Sequence, residues 1–196
     1  TYTITGTDVN SCVNTTTTTV TVNPVPDVIA TPPSETLCSG STTGIALTSS
    51  VAGTTFAWTE SMVNVTGASA GTGATIAQTI TTTTPPSGTV TYTITPTATG
   101  CVGAPIDVII NMQDVVISSI AVTPALCFGS ADGTITVTAP GATQYSSDGG
   151  TTFQPSNVFT VGANTYAIVA DNGSGCSATG TAVVTEPPLL VVPMSF

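Results

Sequence analysis

Residues 89–112 read TVTYTITPTATGCVGAPIDVIINM, and this stretch decides the fold. From Val90 every second side chain is apolar (Val90, Tyr92, Ile94), with threonine between. That period of two belongs to a strand with one buried face, and β-branched residues suit its pleated backbone. A Gly-containing turn leads to Cys101, and Ile106 to Met112 forms the returning strand, so the stretch is a hairpin. The same order recurs at Tyr2 and Cys12 and at Tyr166 and Cys176, with the tyrosine nine or ten residues ahead of the cysteine each time. A hairpin repeated along one chain marks a repeated module.

The cysteine intervals extend that register. Cys12 to Cys38 and Cys101 to Cys127 are both 26 positions apart, whereas Cys38 to Cys101 spans 63 and Cys127 to Cys176 spans 49. The equal short intervals read as junctions and the long ones as module interiors. This spacing predicts disulfides Cys38–Cys101 and Cys127–Cys176, with Cys12 bonded to a partner upstream. Zinc is the rival use, but the chain has no CxxC and no histidine to complete a site. Disulfides in an oxidising compartment follow.

The expected organisation is the terminal hairpin of an incomplete module plus a Pro-containing linker over 1–26, a complete module over 27–114, another over 115–188, and the first strand of a following module over 189–196. On this reading the chain is a piece of a longer array. Seven strand candidates fall within 27–114: Asp27–Thr31, Gly44–Ser49, Thr54–Glu60, Val63–Thr66, Thr75–Thr82, Thr89–Thr95 and Ile106–Met112. Within 115–188 they are Val115–Thr123, Gly133–Thr138, Thr143–Ser146, Thr151–Gln154, Val158–Val161, Thr165–Ala170 and Thr179–Thr185, with Asp148-Gly149-Gly150 as a hairpin turn. Short strands at this spacing predict an all-β fold of tandem immunoglobulin-like antiparallel β-sandwich modules. No window keeps a period of 3.6, so helix is not expected.

Composition excludes more than it offers. The 196 residues hold no Lys, Arg or His against ten Asp and Glu. Without cations there is no grip on phosphate, which removes nucleic acid and anionic membranes as partners. Without histidine the usual general base and the commonest metal ligand are gone. A mean hydropathy of +0.43 comes from apolar residues scattered among threonines. Their longest runs fall far short of the ~20 residues of a spanning helix, so direct membrane insertion is not expected.

Residues 124–188 contain the pattern Cys127, Gly129, Asp132-Gly133, Ile135, Val137, then Tyr166, Val169, Asp171 and Cys176, then Glu186-Pro187-Pro188. This pattern resembles the SprB repeat of Bacteroidota gliding adhesins, with Asn164 in place of the usual glycine. Residues 36–113, with LCSGSTTGIALTS, TTFAWT, VTGASAGTG and the opening hairpin, look like the PKD-like immunoglobulin-fold modules found beside such repeats. The resemblance implies a giant multi-module cell-surface protein, secreted by the type IX system, with a role in adhesion or gliding.

Several residues invite a chemical reading. Asp132, Asp148 and Asp171 each sit in a turn and, lacking any cation in the chain, could offer oxygen ligands to calcium; Asp before Gly is also simply a good turn former. No other cofactor is expected. Trp58, with Phe56 on the same face of a strand, reads as a core aromatic near the Cys38–Cys101 bridge, and Tyr92 and Tyr166 as core aromatics of their modules. Thr-x-Thr runs at Thr1–Thr5, Thr17–Thr21, Thr91–Thr95 and Thr134–Thr138 suit the solvent face of half-buried strands; only a flat sheet would make them an ice- or sugar-binding face. Sequons stand at Asn14, Asn64 and Asn172.

No catalytic residue is expected, since the few acidic residues do not cluster in sequence. The expectation is a non-enzymatic, extracellular, structural or adhesive segment whose partners are other modules of the same chain, surface glycans or a neighbouring chain. An accessory carbohydrate-binding region of a secreted enzyme and a self-assembling fibre subunit are the alternatives.

Overall fold

The computed structural model describes residues 1–192, and Pro193–Phe196 lie outside the described residues. It begins with a hairpin of β1 (Tyr2–Thr7) and β2 (Val13–Thr18), paired from Tyr2 opposite Thr18 to Thr7 opposite Val13. Every residue of both strands is exposed. The segment that follows reaches the next body through Asn23, whose Nδ2 donates to the Thr99 carbonyl at 3.3 Å, and through buried Pro26.

That body is a sandwich. Its strands in order are β3 (Ile29–Thr31), β4 (Ser34–Cys38), β5 (Ser41–Thr42), β6 (Ile45–Thr48), β7 (Thr55–Val63), β8 (Val65–Thr66), β9 (Gly71–Thr72), β10 (Thr75–Ile76), β11 (Thr79–Thr82), β12 (Ser87–Ala98), β13 (Cys101–Val102) and β14 (Ile106–Gln113). One sheet has the order β4-β14-β12-β7-β9, with β13 on the end of β12. It is faced by two shorter sheets, β10-β6-β3 and β5-β11-β8. Central β12 shows the period of two over its whole length: Gly88, Val90, Tyr92, Ile94, Pro96 and Ala98 are buried, and the threonines between them are half-buried. Val108, Ile110 and Met112 of β14 and Phe56 and Trp58 of β7 bury beside them, against Ala30, Ile45, Leu47, Ile76 and Ile80 from the facing layer. Each fully buried Val, Leu, Ile, Phe or Met among them contributes about 1.5–3 kcal/mol.

β4 does not announce itself in the sequence, because SETLC is polar and follows two prolines. Pro32 and Pro33 cannot donate to a ladder. The chain therefore leaves β6, its partner at β3, and crosses to the other sheet, where β4 runs parallel to β14 with Cys38 opposite Gln113.

The second sandwich follows without a linker, since Val115 is already in its core. Its strands are β15 (Ser119–Thr123), β16 (Gly133–Thr138), β17 (Gln144–Ser146), β18 (Val158–Val161), β19 (Asn164–Asp171) and β20 (Ser177–Val184), in sheets β15-β16-β18 and β17-β19-β20. Ile135, Val137, Phe159, Ile168, Ala170, Ala182 and Val184 fill the space between. Thr151–Gln154 is not a strand. Asp148 folds this segment into a loop by accepting from Ser146 Oγ, Thr151 N and Thr152 N at 2.7, 3.0 and 2.9 Å, and only the single bridge from Gln154 to Tyr145 remains. Leu189–Val192 form no strand, and the rest of the expected strand 189–196 lies outside the described residues. Among the described residues there is no helix.

The pairings Cys38–Cys101 and Cys127–Cys176 predicted from spacing are overturned. Cys38 is bonded to Cys176, with their Cα atoms 5.5 Å apart, while Cys12, Cys101 and Cys127 are free thiols. The reason is polarity along the strands. Cys38 lies beside Gln113 at the end of β14, whereas Cys101 lies beside Ala98, beyond the start of β14. The eight residues of β14 put about 23 Å between those two ends, and a disulfide needs Cα atoms within ~7 Å. Cys176 likewise precedes β20, while Cys127 follows Ala125, whose N–H donates to the Thr185 carbonyl past the far end of β20. Each sandwich carries its two cysteines at opposite poles.

A Cβ on Gly103 would stand 1.8 Å from the Pro26 carbonyl oxygen, so Gly103→Ala displaces the segment that enters the first sandwich. The expected cost is about 1–3 kcal/mol, seen as a Tm lowered by roughly 3–10 °C; an unchanged Tm would show that Pro26 is not seated there.

Asp27 Oδ1 accepts from Ser49 Oγ, Ser50 N and Ser50 Oγ at 2.7–2.9 Å, and these bonds, the Ser49 hydroxyl first, hold its pKa at about 2. The folded value lies below the ordinary 3.8, so the stabilisation is present above that value and is lost as the pH falls towards 2. Asp27→Asn should therefore melt below the parent at neutral pH, and the gap should close across that acid window. A gap independent of pH would refute the assignment.

Candidate functional site

The structure concentrates its specific contacts where the two sandwiches meet. The strand end Gln113-Asp114 supplies one side. Ser39 N donates to the Gln113 carbonyl and Asp114 N to that of Pro86, both at 2.8 Å. Thr82 Oγ1 donates to Asp114 Oδ2 at 2.5 Å and lies 2.9 Å from Ser39 Oγ, which also accepts from Thr82 N. This network fixes the pole of the first sandwich around Cys38.

The tip of the β19–β20 hairpin supplies the other side. Asn172 N donates to the Cys176 carbonyl at 3.0 Å, and Asn172 Oδ1 accepts from Ser174 N and Cys176 N at 2.8 and 3.1 Å, which closes the turn and presents the sulfur. The amide still has a donor to use. Asn172 Nδ2 gives it to Gln113 Oε1 at 2.8 Å, across the junction. Gly141, at φ +87°, comes so close that a Cβ would stand 2.1 Å from the Asp114 carbonyl oxygen. Pro86, Ser87, Gln113, Asp114, Gly141, Thr143 and Asn172 enclose an open cleft of about 270 Å³. A covalent bond, a side-chain hydrogen bond and a close backbone approach thus act together within one small contact. Its capacity is mechanical: it holds two folded bodies in one orientation.

The residues singled out for other chemistry are dispersed. Trp58 is buried, its indole Nε1 donates to the Ser69 carbonyl at 3.2 Å, and its ring lies against Gly71, so no ligand can stack on it. It lies in the sandwich core, and no Cys38–Cys101 bridge exists for it to pack against. Tyr92 is fully buried, with Oη donating to Gln78 Oε1 at 2.8 Å. Burial, reinforced by the Glu60 charge, pushes its hydroxyl up to about 12. Tyr166 is half-buried and donates to the Gly162 carbonyl four residues upstream at 3.0 Å.

The three aspartates do not converge. Asp132 serves the loop of Cys127, accepting from Ser130 Oγ and Leu126 N, and these bonds, the Ser130 hydroxyl first, hold its carboxyl below the usual range. Asp148 is held well below that range by Thr152, Ser146 and the loop backbone. Asp171 stands at the opposite end of the second sandwich from Asp132 and accepts from Gly173 N and Gln144 Nε2 at 2.6 and 2.7 Å. Among the described residues no three His, Cys, Asp or Glu side chains gather closely enough to hold a metal ion. The three aspartates organise their own loops.

Sequence reasoning missed Gln113, Asn172 and Gly141 as site residues. Gln113 reads only as a strand end, and Asn172 only as a turn former or sequon. The available signal was the tip itself, because Asn172-Gly-Ser-Gly-Cys176 repeats the length of Asp8-Val-Asn-Ser-Cys12.

With this geometry in place, residues 35–115 match the family model of a PKD-like domain, which runs from within β4 to just past β14. No curated protein matches the chain. A solved structure, the crystal structure of Dpr2 Ig1-Ig2 in complex with DIP-Theta Ig1-Ig3, is similar over 83% of this chain at 14% identity, with a TM-score of 0.31; the chain spans 65% of that one. The protein is all-β and immunoglobulin-like, and its first sandwich matches the model of a PKD-like domain.

Proposed function

We propose that this chain is a structural and adhesive segment of a long, multi-module extracellular protein, projecting a binding element from the cell surface, and that it has no enzymatic activity. The observation that carries the reading is the Cys38–Cys176 bond between two sandwiches that already share a direct chain connection. One link suffices to keep two domains together. A second, covalent and on another strand, resists bending and shear, which matters for a spacer under load. Disulfides persist in oxidising, extracellular compartments, in keeping with this placement. No helix of the described residues is long and apolar enough to cross a membrane.

The finer reading rests on the SprB-like pattern from Cys127 to Pro188. On that reading the chain is part of a gliding adhesin of the Bacteroidota type, exported by the type IX system. Its partners are then further modules of the same polypeptide, with surface glycans or a neighbouring chain at the binding element.

The mechanical role gives a direct measurement. When the chain is pulled from its two ends, the oxidised protein can lengthen only through the segments outside Cys38 and Cys176, even after both sandwiches open. Reduction should release the 138-residue separation between them as one sequestered length, up to about 450–500 Å before subtracting the folded span. Single-molecule force spectroscopy with and without reductant reads this difference. Equal extension in both conditions would remove the mechanical argument. Loss of surface attachment by cells whose protein carries Cys176→Ser would support the role in adhesion, and unchanged attachment under flow would count against it.

A further inference from the structure

Asn172 is the only asparagine of the chain that a glycine follows. In such a pair no side chain shields the glycine nitrogen, which can attack the side-chain carbonyl carbon and close a five-membered ring. Closure has three requirements: Gly173 N must give up its proton, the carboxamide must turn towards it, and Nδ2 must leave. The structure restrains all three groups. Gly173 N–H is held by Asp171 Oδ1 at 2.6 Å, and that carboxylate disfavours a negative nitrogen beside it. Asn172 Oδ1 is held by Ser174 N and Cys176 N at 2.8 and 3.1 Å, and Nδ2 by Gln113 Oε1 at 2.8 Å. Two of these restraints depend on the junction, since Cys176 is bonded to Cys38 and Gln113 belongs to the first sandwich.

The tip of the β1–β2 hairpin shows what a carboxylate does in this turn. Asp8 Oδ1 accepts from Asn10 N and Cys12 N, both at 2.8 Å, and Asp8 N donates to the Cys12 carbonyl at 3.0 Å. The turn therefore closes around its cysteine without an amide. Loss of the Asn172 amide would leave a turn of this kind intact and remove the donor that reaches the first sandwich. It would also put a charge next to Asp171, in a cleft that Asp114 already lines, in a chain with no Lys, Arg or His.

We propose that Asn172 is a deamidation site guarded by the junction, so that opening the Cys38–Cys176 bond starts a conversion that prevents its full repair. A small-molecule thiol opens the bond: two such thiols become one disulfide, and Cys38 and Cys176 become thiols. Gly173 N then loses its proton to solvent and attacks Asn172 Cγ. The Cγ–Nδ2 bond breaks, and Nδ2 takes up protons and departs as ammonia. Water adds to either carbonyl of the resulting succinimide and leaves aspartate or isoaspartate at 172. One water is consumed and one ammonia released, with no electrons transferred in this second stage.

The test incubates the full chain at mildly alkaline pH, oxidised or held reduced with dithiothreitol. Samples are then mapped with pepsin at acid pH, since the chain offers trypsin no Lys or Arg. Deamidation is read as the mass gained when the amide becomes a carboxyl, and Asn64, exposed and followed by valine, is the internal control. The expected result is conversion confined to Asn172 and faster in the reduced chain. Gln113→Ala, kept oxidised, separates undocking from unfolding. It should raise the rate roughly two- to ten-fold, the worth of one hydrogen bond, with Trp58 fluorescence unchanged. After partial conversion, removal of the reductant and reoxidation in a glutathione buffer should leave Cys38–Cys176-linked peptides enriched in asparagine and unlinked ones in the deamidated forms. Equal rates in the oxidised and reduced chain, no acceleration in Gln113→Ala, or an even distribution between linked and unlinked peptides would each overturn the proposal. None of these readouts involves a cell surface, so the outcome is independent of the adhesive role.

Discussion

With no cationic side chain available, each of the ten carboxylates must be satisfied by water, by hydroxyls, by side-chain amides or by backbone N–H groups, and this constraint shapes the loops throughout. Asp8, Asp27, Asp132, Asp148 and Asp171 all accept from backbone N–H groups of their own or an adjoining loop. A carboxylate bonded in this way is stabilised in its ionised form, which explains the lowered pKa values of Asp27, Asp132 and Asp148. The same groups therefore fix turn geometry and keep the charge. A net charge of −10 also repels other copies, so contact between bodies has to come from shape, amide hydrogen bonds and sulfur.

Much of the fold was legible because burial in a sheet writes itself as alternation. β12, β14 and β16 were visible from Val90, Tyr92 and Ile94, from Val108 and Ile110, and from Ile135 and Val137. β4 was not, because an edge strand that joins its sheet after two prolines needs no apolar period of its own. The loop at Asp148 was misread for the opposite reason: Asp-Gly-Gly followed by threonines has the composition of a hairpin, and only the placement of its hydrogen bonds shows otherwise.

The cysteines show the limit most clearly. Their equal intervals of 26 read as the spacing of repeated modules. That spacing could not report at which pole of a sandwich each sulfur emerges. A strand of eight residues carries the chain from one pole to the other, so residues close in the repeat can be far apart in space, and residues 138 apart can meet. Gln113 and Asn172 were invisible for the same reason, being ordinary residues until the second sandwich is docked on the first.

The two matching tips differ at one atom that matters. Asp8 and Asn172 occupy the same place in the same turn, and each uses an Oδ1 to accept the cysteine N–H. A carboxylate has then nothing to donate, whereas the amide keeps an Nδ2–H pair, and Asn172 spends it on Gln113 across the junction. An aspartate at 172 could only accept, so Gln113 would have to turn its amide to donate Nε2, and the change would bring charge into a contact that has no cation to answer it. Asparagine is thus the residue that both shapes the tip and seals the contact beside the disulfide. The Asp8 tip, built in the same way around Cys12, has no such donor to offer a neighbouring surface.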